Sequence, residues 1–150
     1  MRQGFSTVEL LVVTVLLGIL FTIGVFSGHA ILRGQERASF LKTFQNVFWQ
    51  GATEAASRGR ELALVKNGSL LTLQDGPRVL RSWNIPEGAS LGREGSPLPD
   101  GTLARFTPPG KLKDAQGGEL LSPLVFEVVL GNKTYRYTVS LIGEAKVEGP

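Results

Sequence analysis

The sequence contains no cysteine and a single histidine, His29. Without cysteine, the chain cannot form a disulfide, a thiolate zinc site or a cysteine nucleophile. With one histidine, placed beside an apolar segment, we expect no Ser-His-Asp arrangement and no catalytic imidazole. The sequence also lacks a metal-ligand cluster and a phosphate-binding glycine loop placed before a helix. We therefore expect that the protein is not an enzyme and needs no cofactor.

Charge is sparse as well, because charged residues make up 19% of the chain and give a formal net charge of +3. This mild excess allows contact with an anionic partner but does not indicate one. The 19 glycines and 8 prolines fall mainly in the second half, which favours short strands joined by tight turns. A chain of 150 residues has room for one modest domain and an extension.

The apolar residues are concentrated near the N-terminus. From Leu10 to Phe26 the chain carries no charge, and its polar groups are the hydroxyls of Thr14 and Thr22. Spanning a bilayer as a helix takes about 20 apolar residues. Extending the run to residues 5–32 reaches that length, so we predict a membrane-spanning helix there.

Three interpretations compete for residues 1–9. The first is an uncleaved membrane anchor, and the second is a secretory signal with a cleavage site at residues 28–30. The third is a short basic leader ending at Gly4, followed by an aromatic first mature residue, Phe5, and the carboxylate of Glu9. A carboxylate in an apolar helix costs about 2.5–3.5 kcal/mol unless it finds a partner. In a helical assembly the newly formed α-amine of a neighbouring subunit would be that partner and would set the axial register, which favours the third interpretation.

The string from Gly4 to Val13, GFSTVELLVV, resembles the N-terminal signature of type IV pilins and type II secretion pseudopilins. The resemblance implies that a prepilin peptidase cuts between Gly4 and Phe5, that Phe5 becomes N-methylated, and that Glu9 is the family's glutamate. It implies as partners other pilins or pseudopilins, the prepilin peptidase and an inner-membrane assembly platform. It also implies a single-pass protein of the bacterial inner membrane, with its globular domain outside the cytoplasm, that is later built into a pilus or pseudopilus.

The helix pattern continues after Leu32 but becomes amphipathic. Apolar residues recur at helical spacing on one stripe, and charged residues occupy the other faces. The stripe consists of Leu41, Phe44, Val47, Phe48, Ala52 and Ala55. We predict one helix from about Phe5 to about Arg58, with its second half packed on strands downstream.

Beyond Arg60 the period changes from 3.6 to 2, which predicts short antiparallel strands and an α+β fold. The predicted strands are 61–65, 69–74, 78–83, 89–93, 102–106, 124–130, 133–141 and 145–148, with loops at 94–101 and 108–118. The chain thereby divides into a leader (1–4), a transmembrane or filament-core helix (5–32), an amphipathic helical half (33–58) and a β-rich pilin domain (59–150).

The second half is similar to minor pseudopilins of the GspH/FimT type, on the segments TEAASRGR at 53–60 and ARFTPPG at 104–110. This resemblance implies a long helix with two β-sheets packed on its C-terminal half, and a minor subunit of the filament. Gly24 and Gly28 form a GxxxG pattern followed by Gly34. That pattern is as typical of a functional role, in close helix packing or in a locally melted segment, as it is of small residues without a role. A proline often kinks pilin helices in this region, but Phe26 stands in its place here, so any bend must come from the glycines.

A DNA-uptake pilin is the main alternative within the family. Some FimT-type pilins contact DNA through a Gly-Arg-x-Arg stretch, which reads Gly143-Glu144-Ala145-Lys146 in this chain. Glu144 would repel phosphate, so an ordinary charged sheet surface is favoured. Lys133, Arg136 and Lys146 are nevertheless the candidates for a DNA contact. Outside the family, the alternative is a periplasmic binding domain released from a cleaved signal.

Overall fold

The computed structural model describes residues 4–150, so residues 1–3 of the predicted leader lie outside the described residues. Within this range the chain forms one helix and ten strands. They are α1 (Thr7–Arg58), β1 (Leu62–Asn67), β2 (Leu70–Asp75), β3 (Arg78–Asn84), β4 (Ala89–Arg93), β5 (Ser96–Pro97), β6 (Gly101–Thr107), β7 (Lys111–Lys113), β8 (Leu124–Leu130), β9 (Lys133–Val139) and β10 (Ala145–Glu148).

The predicted α+β class is confirmed: a long N-terminal helix packs against two antiparallel β-sheets. The strand orders are β3-β2-β1-β6-β7 and β10-β9-β8-β4-β5. The chain divides into two compact units, of which the first ends at Glu36 and the second begins at Arg37. The second half of α1 therefore belongs to the same unit as both sheets, because its apolar stripe supplies part of their core.

Two strands lie in segments that we predicted as loops. β5 falls within 94–101 and pairs with β4 (Gly92↔Pro97), and β7 falls within 108–118 and pairs with β6 (Phe106↔Leu112). Strands of two or three residues carry no period of their own, so only their pairing with the preceding strand identifies them. β9 also ends at Val139, two residues before the predicted end, because Leu141 leaves the sheet and its carbonyl accepts the N–H of Leu112 (2.8 Å).

The predicted stripe of α1 is confirmed, apart from one residue that is less buried and two that are added. Leu41 is half-buried rather than buried, and Phe40 and Gly51 join the stripe in the core. Gly51 has a packing reason to be glycine, since a Cβ at this position would lie 2.5 Å from the ring of Phe106. The helix therefore approaches the first sheet more closely than a side chain would allow.

Aromatic side chains fill the space between α1 and the second sheet. Phe44 is fully buried, and its ring makes edge-to-face contacts with Phe48 (5.3 Å between centroids), Phe126 (6.2 Å) and Tyr137 (5.0 Å). Such pairs add about 0.5–1.5 kcal/mol each beyond the area that they bury. The cluster accounts for the way α1 is held on β8 and β9.

Polar contacts fix the register of α1 on the second sheet. The hydroxyl of Tyr137 donates to the carbonyl of Leu41 (2.8 Å), and the side-chain amide of Gln45 donates to the carbonyl of Ala145 (3.0 Å). The carbonyl of Leu41 is already part of the helix, so the Tyr137 hydroxyl uses its second lone pair. These bonds position α1 along β9 and β10 more specifically than apolar packing alone can.

Tyr137 is expected to make the stability depend on pH. Burial, with a smaller contribution from the charge of Tyr135, raises the pKa of Tyr137 from 10.0 to about 12. The unfolded tyrosine ionises first, so this stabilisation is fully present below pH 10 and is lost as the pH rises from 10 through 12. In thermal unfolding of the full chain in detergent, we expect a steeper loss over that range than in Tyr137→Phe. Tyr137→Phe should itself cost about 1 kcal/mol at neutral pH, and equal pH profiles would contradict the prediction.

Candidate functional site

The N-terminus of α1 is built as a capping box. The N–H of Glu9 donates to Oγ of Ser6 (3.2 Å), and the N–H of Ser6 donates to Oε2 of Glu9 (2.8 Å). This reciprocal pair satisfies two backbone donors that a helix otherwise leaves without a partner. The carboxylate of Glu9 therefore has an intramolecular role that we did not predict, although the spacing Ser-x-x-Glu could have indicated it. It also places the helix start at Thr7, two residues after the predicted one.

The predicted cleavage site lies just before this cap. Gly4, Phe5 and Ser6 have no regular secondary structure, and all three are exposed. The side chain of Phe5 is 79% exposed. The peptide bond between Gly4 and Phe5 is therefore outside the hydrogen-bonded helix, and its hydrolysis does not require any helical hydrogen bond to be broken.

The first half of α1 exposes an apolar surface along its whole length. The exposed large apolar residues of this half are Val8, Leu10, Leu11, Val12, Val13, Val15, Leu16, Leu17, Ile19, Leu20, Phe21, Ile23, Val25, Phe26, Ile31 and Leu32. By length and composition, α1 is able to cross a membrane. A surface of this size on a protein in water would mark an interaction site, because soluble monomers rarely expose such large apolar patches.

The hydroxyls of the segment from Leu10 to Phe26 are satisfied by the helix itself. The hydroxyl of Thr14 donates to the carbonyl of Leu10 (2.8 Å), and that of Thr22 donates to the carbonyl of Gly18 (2.8 Å). Both bonds reach back four residues, which is how hydroxyls are accommodated in apolar helices. The segment can therefore enter hydrocarbon, or a packed helical core, without carrying an unsatisfied hydroxyl.

The glycines of the GxxxG pattern leave the helix continuous, since α1 runs through Gly24, Gly28 and Gly34. A Cβ added at any of the three would meet nothing within 4 Å. Their missing side chains therefore leave backbone open to an approaching helix. Residues 28–30, the predicted secretory cleavage site, are helical, and His29 is exposed on this part of α1.

The three cations predicted to contact DNA do not form one patch. Residues alternate between the faces of a strand, so Lys133 lies on the face of β9 that also carries Tyr137, whereas Arg136 lies on the opposite face. Nη2 of Arg136 lies 3.8 Å from Oε1 of Glu127, and in the strand register Arg136 is opposite Glu148 on β10. Lys146 shares this face, which therefore combines two cations with two carboxylates.

The turn before β10 has a packing role. Gly143 has a φ of 87°, and a Cβ there would lie 2.8 Å from the carbonyl oxygen of Phe48 and 3.1 Å from Cβ of Ala52. This turn therefore fits directly against α1 only because residue 143 is glycine. The glycine of the Gly-Glu-Ala-Lys stretch is thus explained by packing, without reference to DNA.

An apolar groove borders the exposed side of α1 next to this turn. Its volume is about 610 Å³, and it is lined by Trp49, Ala52, Thr53, Ala56, Pro109, Gly110, Lys111, Leu141 and Ile142. Trp49 is 56% exposed and Ile142 is 59% exposed. Trp49 therefore lies outside the core.

Comparison of the chain with protein-family models, with curated proteins and with solved structures gives no match.

Proposed function

We propose that the protein is a minor pilin or pseudopilin subunit, cleaved between Gly4 and Phe5, N-methylated on Phe5, and assembled into a type IV pilus or a type II secretion pseudopilus. The observation that supports this most is that the two halves of α1 differ in their packing. Its second half completes the core of a two-sheet domain, while its first half exposes apolar side chains throughout. Such a first half needs an apolar environment, which a bilayer supplies before assembly and neighbouring helices supply afterwards.

The chemistry of the N-terminus supports assembly over simple anchoring. Glu9 lies at the start of the apolar segment, where its Oε2 accepts a single backbone hydrogen bond from Ser6. A carboxylate can accept about four hydrogen bonds, so capacity remains for an ammonium group. In the proposal, cleavage creates that group on Phe5, and the amine of one subunit meets Glu9 of the next.

The proposal implies a set of partners and a location. The partners are other pilins or pseudopilins, the prepilin peptidase and the inner-membrane assembly platform. The chain is stored in the bacterial inner membrane, with its β-domain outside the cytoplasm, and moves from there into the filament. A cleaved secretory signal is less well supported, because residues 28–30 are helical.

The N-terminal residue and intact mass of the protein, purified from membranes of its native host, test this proposal. We expect a chain that begins at methylated Phe5. As a control, Gly4→Val should retain residues 1–4, because a branched side chain at the cleavage position obstructs the peptidase. A chain beginning at Ile31 would indicate a secreted domain and one retaining Met1 an anchor, and either result would overturn the filament proposal.

A further inference from the structure

Four arginines from two separate parts of the sequence lie near the C-terminal end of α1. Arg58 ends the helix, Arg60 follows it, and Arg78 and Arg81 lie on β3, an edge strand of its sheet. Glu54 connects two of them: its Oε2 accepts from Nε of Arg58 (2.8 Å), and its Oε1 accepts from Arg81 at Nε (3.2 Å) and Nη2 (3.0 Å). We call these four residues the arginine cluster.

A β-bulge brings the two strand arginines to one face. Residues three apart on a regular strand lie on opposite faces. Here the register of β2 with β3 shifts, so that Arg81 is opposite Leu73 and Arg78 is opposite Asp75. Since Leu73 and Asp75 are two residues apart on β2, both arginines lie on the same face of the sheet. The extra residue, Leu80, absorbs the shift.

The arginine cluster retains an excess of positive charge. Asp75 also pairs with Arg60 (3.4 Å), so two carboxylates, Glu54 and Asp75, face four guanidinium groups. Glu61, the next acidic residue along the chain, is engaged by Arg105 (3.1 Å). The hydrogen bonds from Arg58 and Arg81 hold the pKa of the Glu54 carboxyl below its usual value, so this carboxylate stays ionised and keeps both guanidinium groups in place.

The guanidinium groups remain accessible to a ligand. The side chains of Arg60, Arg81 and Arg58 are 71%, 52% and 42% exposed. Each guanidinium has five N–H donors in a planar fork that matches phosphate geometry. Glu54 uses two donors of Arg81 and one of Arg58, so most donors are available to an anion.

The composition of this surface favours a nucleic-acid backbone over a protein partner. Protein interfaces have an apolar core inside a polar rim, whereas interfaces with DNA are more polar and strongly positive. Val79, the exposed large apolar residue of β3, is opposite Gln74 and so lies on the other face of the strand from Arg78 and Arg81. The face around Arg136 and Lys146, in contrast, balances its cations with Glu127 and Glu148.

We propose that the arginine cluster is a binding surface for the phosphodiester backbone of DNA, and that binding does not depend on the base sequence. The ligand would lie across the end of α1 and the edge strand β3, where Arg58 and Arg81 are positioned by Glu54. This site does not include Lys133, Arg136 or Lys146, and the proposal does not depend on the filament function. Each phosphate contact should release counterions, so binding should weaken steeply with salt.

Binding of a fluorescein-labelled DNA duplex by the full chain in a non-ionic detergent, followed by fluorescence anisotropy from 50 to 200 mM salt, tests this proposal. For Arg58→Gln/Arg81→Gln we expect affinity to fall about tenfold or more, and the salt slope to fall by about 2. The matched control Lys133→Gln/Lys146→Gln removes the same charge elsewhere and should bind like the natural chain. Thermal unfolding of both variants checks that the fold is kept, since exposed ion pairs contribute little to stability.

Glu54→Gln provides a change in the opposite direction. Removing its negative charge increases the excess of positive charge in the arginine cluster, so affinity for DNA should rise severalfold at low salt. No binding at 50 mM salt, or a control double variant that loses as much affinity as the cluster variant, would overturn the proposal. A poly-glutamate peptide that displaces DNA at equal charge concentration would overturn it too, in favour of an acidic protein partner.

Discussion

Gly143→Ala is expected to lower the free energy of unfolding by about 2–5 kcal/mol, from a positive φ that disfavours alanine by about 1–2 kcal/mol and an overpacked contact costing about 1–3 kcal/mol. The new Cβ would lie 2.8 Å from the carbonyl oxygen of Phe48, which is helical backbone and cannot move aside cheaply. The turn would have to withdraw from α1, and the bond from Gln45 to the carbonyl of Ala145 would be strained with it. Thermal and urea unfolding of the full chain in detergent measure the effect.

Gly131→Ala is the matched control for this prediction. Gly131 also has a positive φ, of 61°, but a Cβ there would meet nothing within 4 Å. It should therefore show the conformational cost alone, about 1–2 kcal/mol. Equal destabilisation by the two substitutions would mean that the turn at Gly143 does not fit against α1 as closely as the structure has it.

Glu9→Gln is expected to reduce filament assembly by at least about 100-fold, while leaving the start of the helix intact. Glutamine can replace glutamate in a capping box, so its side-chain oxygen can still accept the N–H of Ser6. It cannot neutralise an α-amine, and an unpaired charge in a dry contact costs about 3–5 kcal/mol, equivalent to at least 100-fold in an equilibrium. The amount of the subunit in sheared filaments, relative to the amount in membranes, measures assembly.

Ser6→Ala separates the two roles of Glu9. It removes the cap of α1, which costs about 1 kcal/mol, but keeps the carboxylate. If Glu9 acts through its charge, Ser6→Ala should assemble within about tenfold of the natural chain. Normal assembly of Glu9→Gln, together with failure of Ser6→Ala, would mean that capping is the whole role of Glu9. That result would remove the register hypothesis while leaving cleavage after Gly4 untouched.

Much of the fold could be predicted because its signals are local. The apolar residues of α1 recur every three or four positions, and the stripe from Phe44 to Ala55 lies in the core as predicted. The strands β1 and β2 were predicted, although their ends are shifted by one or two residues because Gly68 and Ser69 form the turn. β5 and β7 could not be predicted, since strands of two or three residues show no period and only their pairing with β4 and β6 defines them.

The candidate sites divide in the same way. The motif around Gly4 and Glu9 is readable because its residues are neighbours, and the cap formed by Ser6 was readable too. The arrangement of Lys133, Arg136 and Lys146, the residues predicted to contact DNA, was not readable. The alternation of β9 separates Lys133 from Arg136 and places acidic partners opposite Arg136. The arginine cluster was missed for the converse reason: its two pairs of arginines lie on different elements, the end of α1 and β3, and a bulge is needed to align the second pair.

The sequence by itself determined the membrane-length helix, the apolar stripe that follows it, the α+β class and the N-terminal motif. These are properties of residues within a few positions of one another, where helical or alternating periods apply. Only the tertiary structure decided that Gly51 and Gly143 must be glycine, that Tyr137 bonds to Leu41, and which cations share a surface. These depend on how closely α1 approaches the two sheets and on strand register, which distant contacts set and no local pattern records.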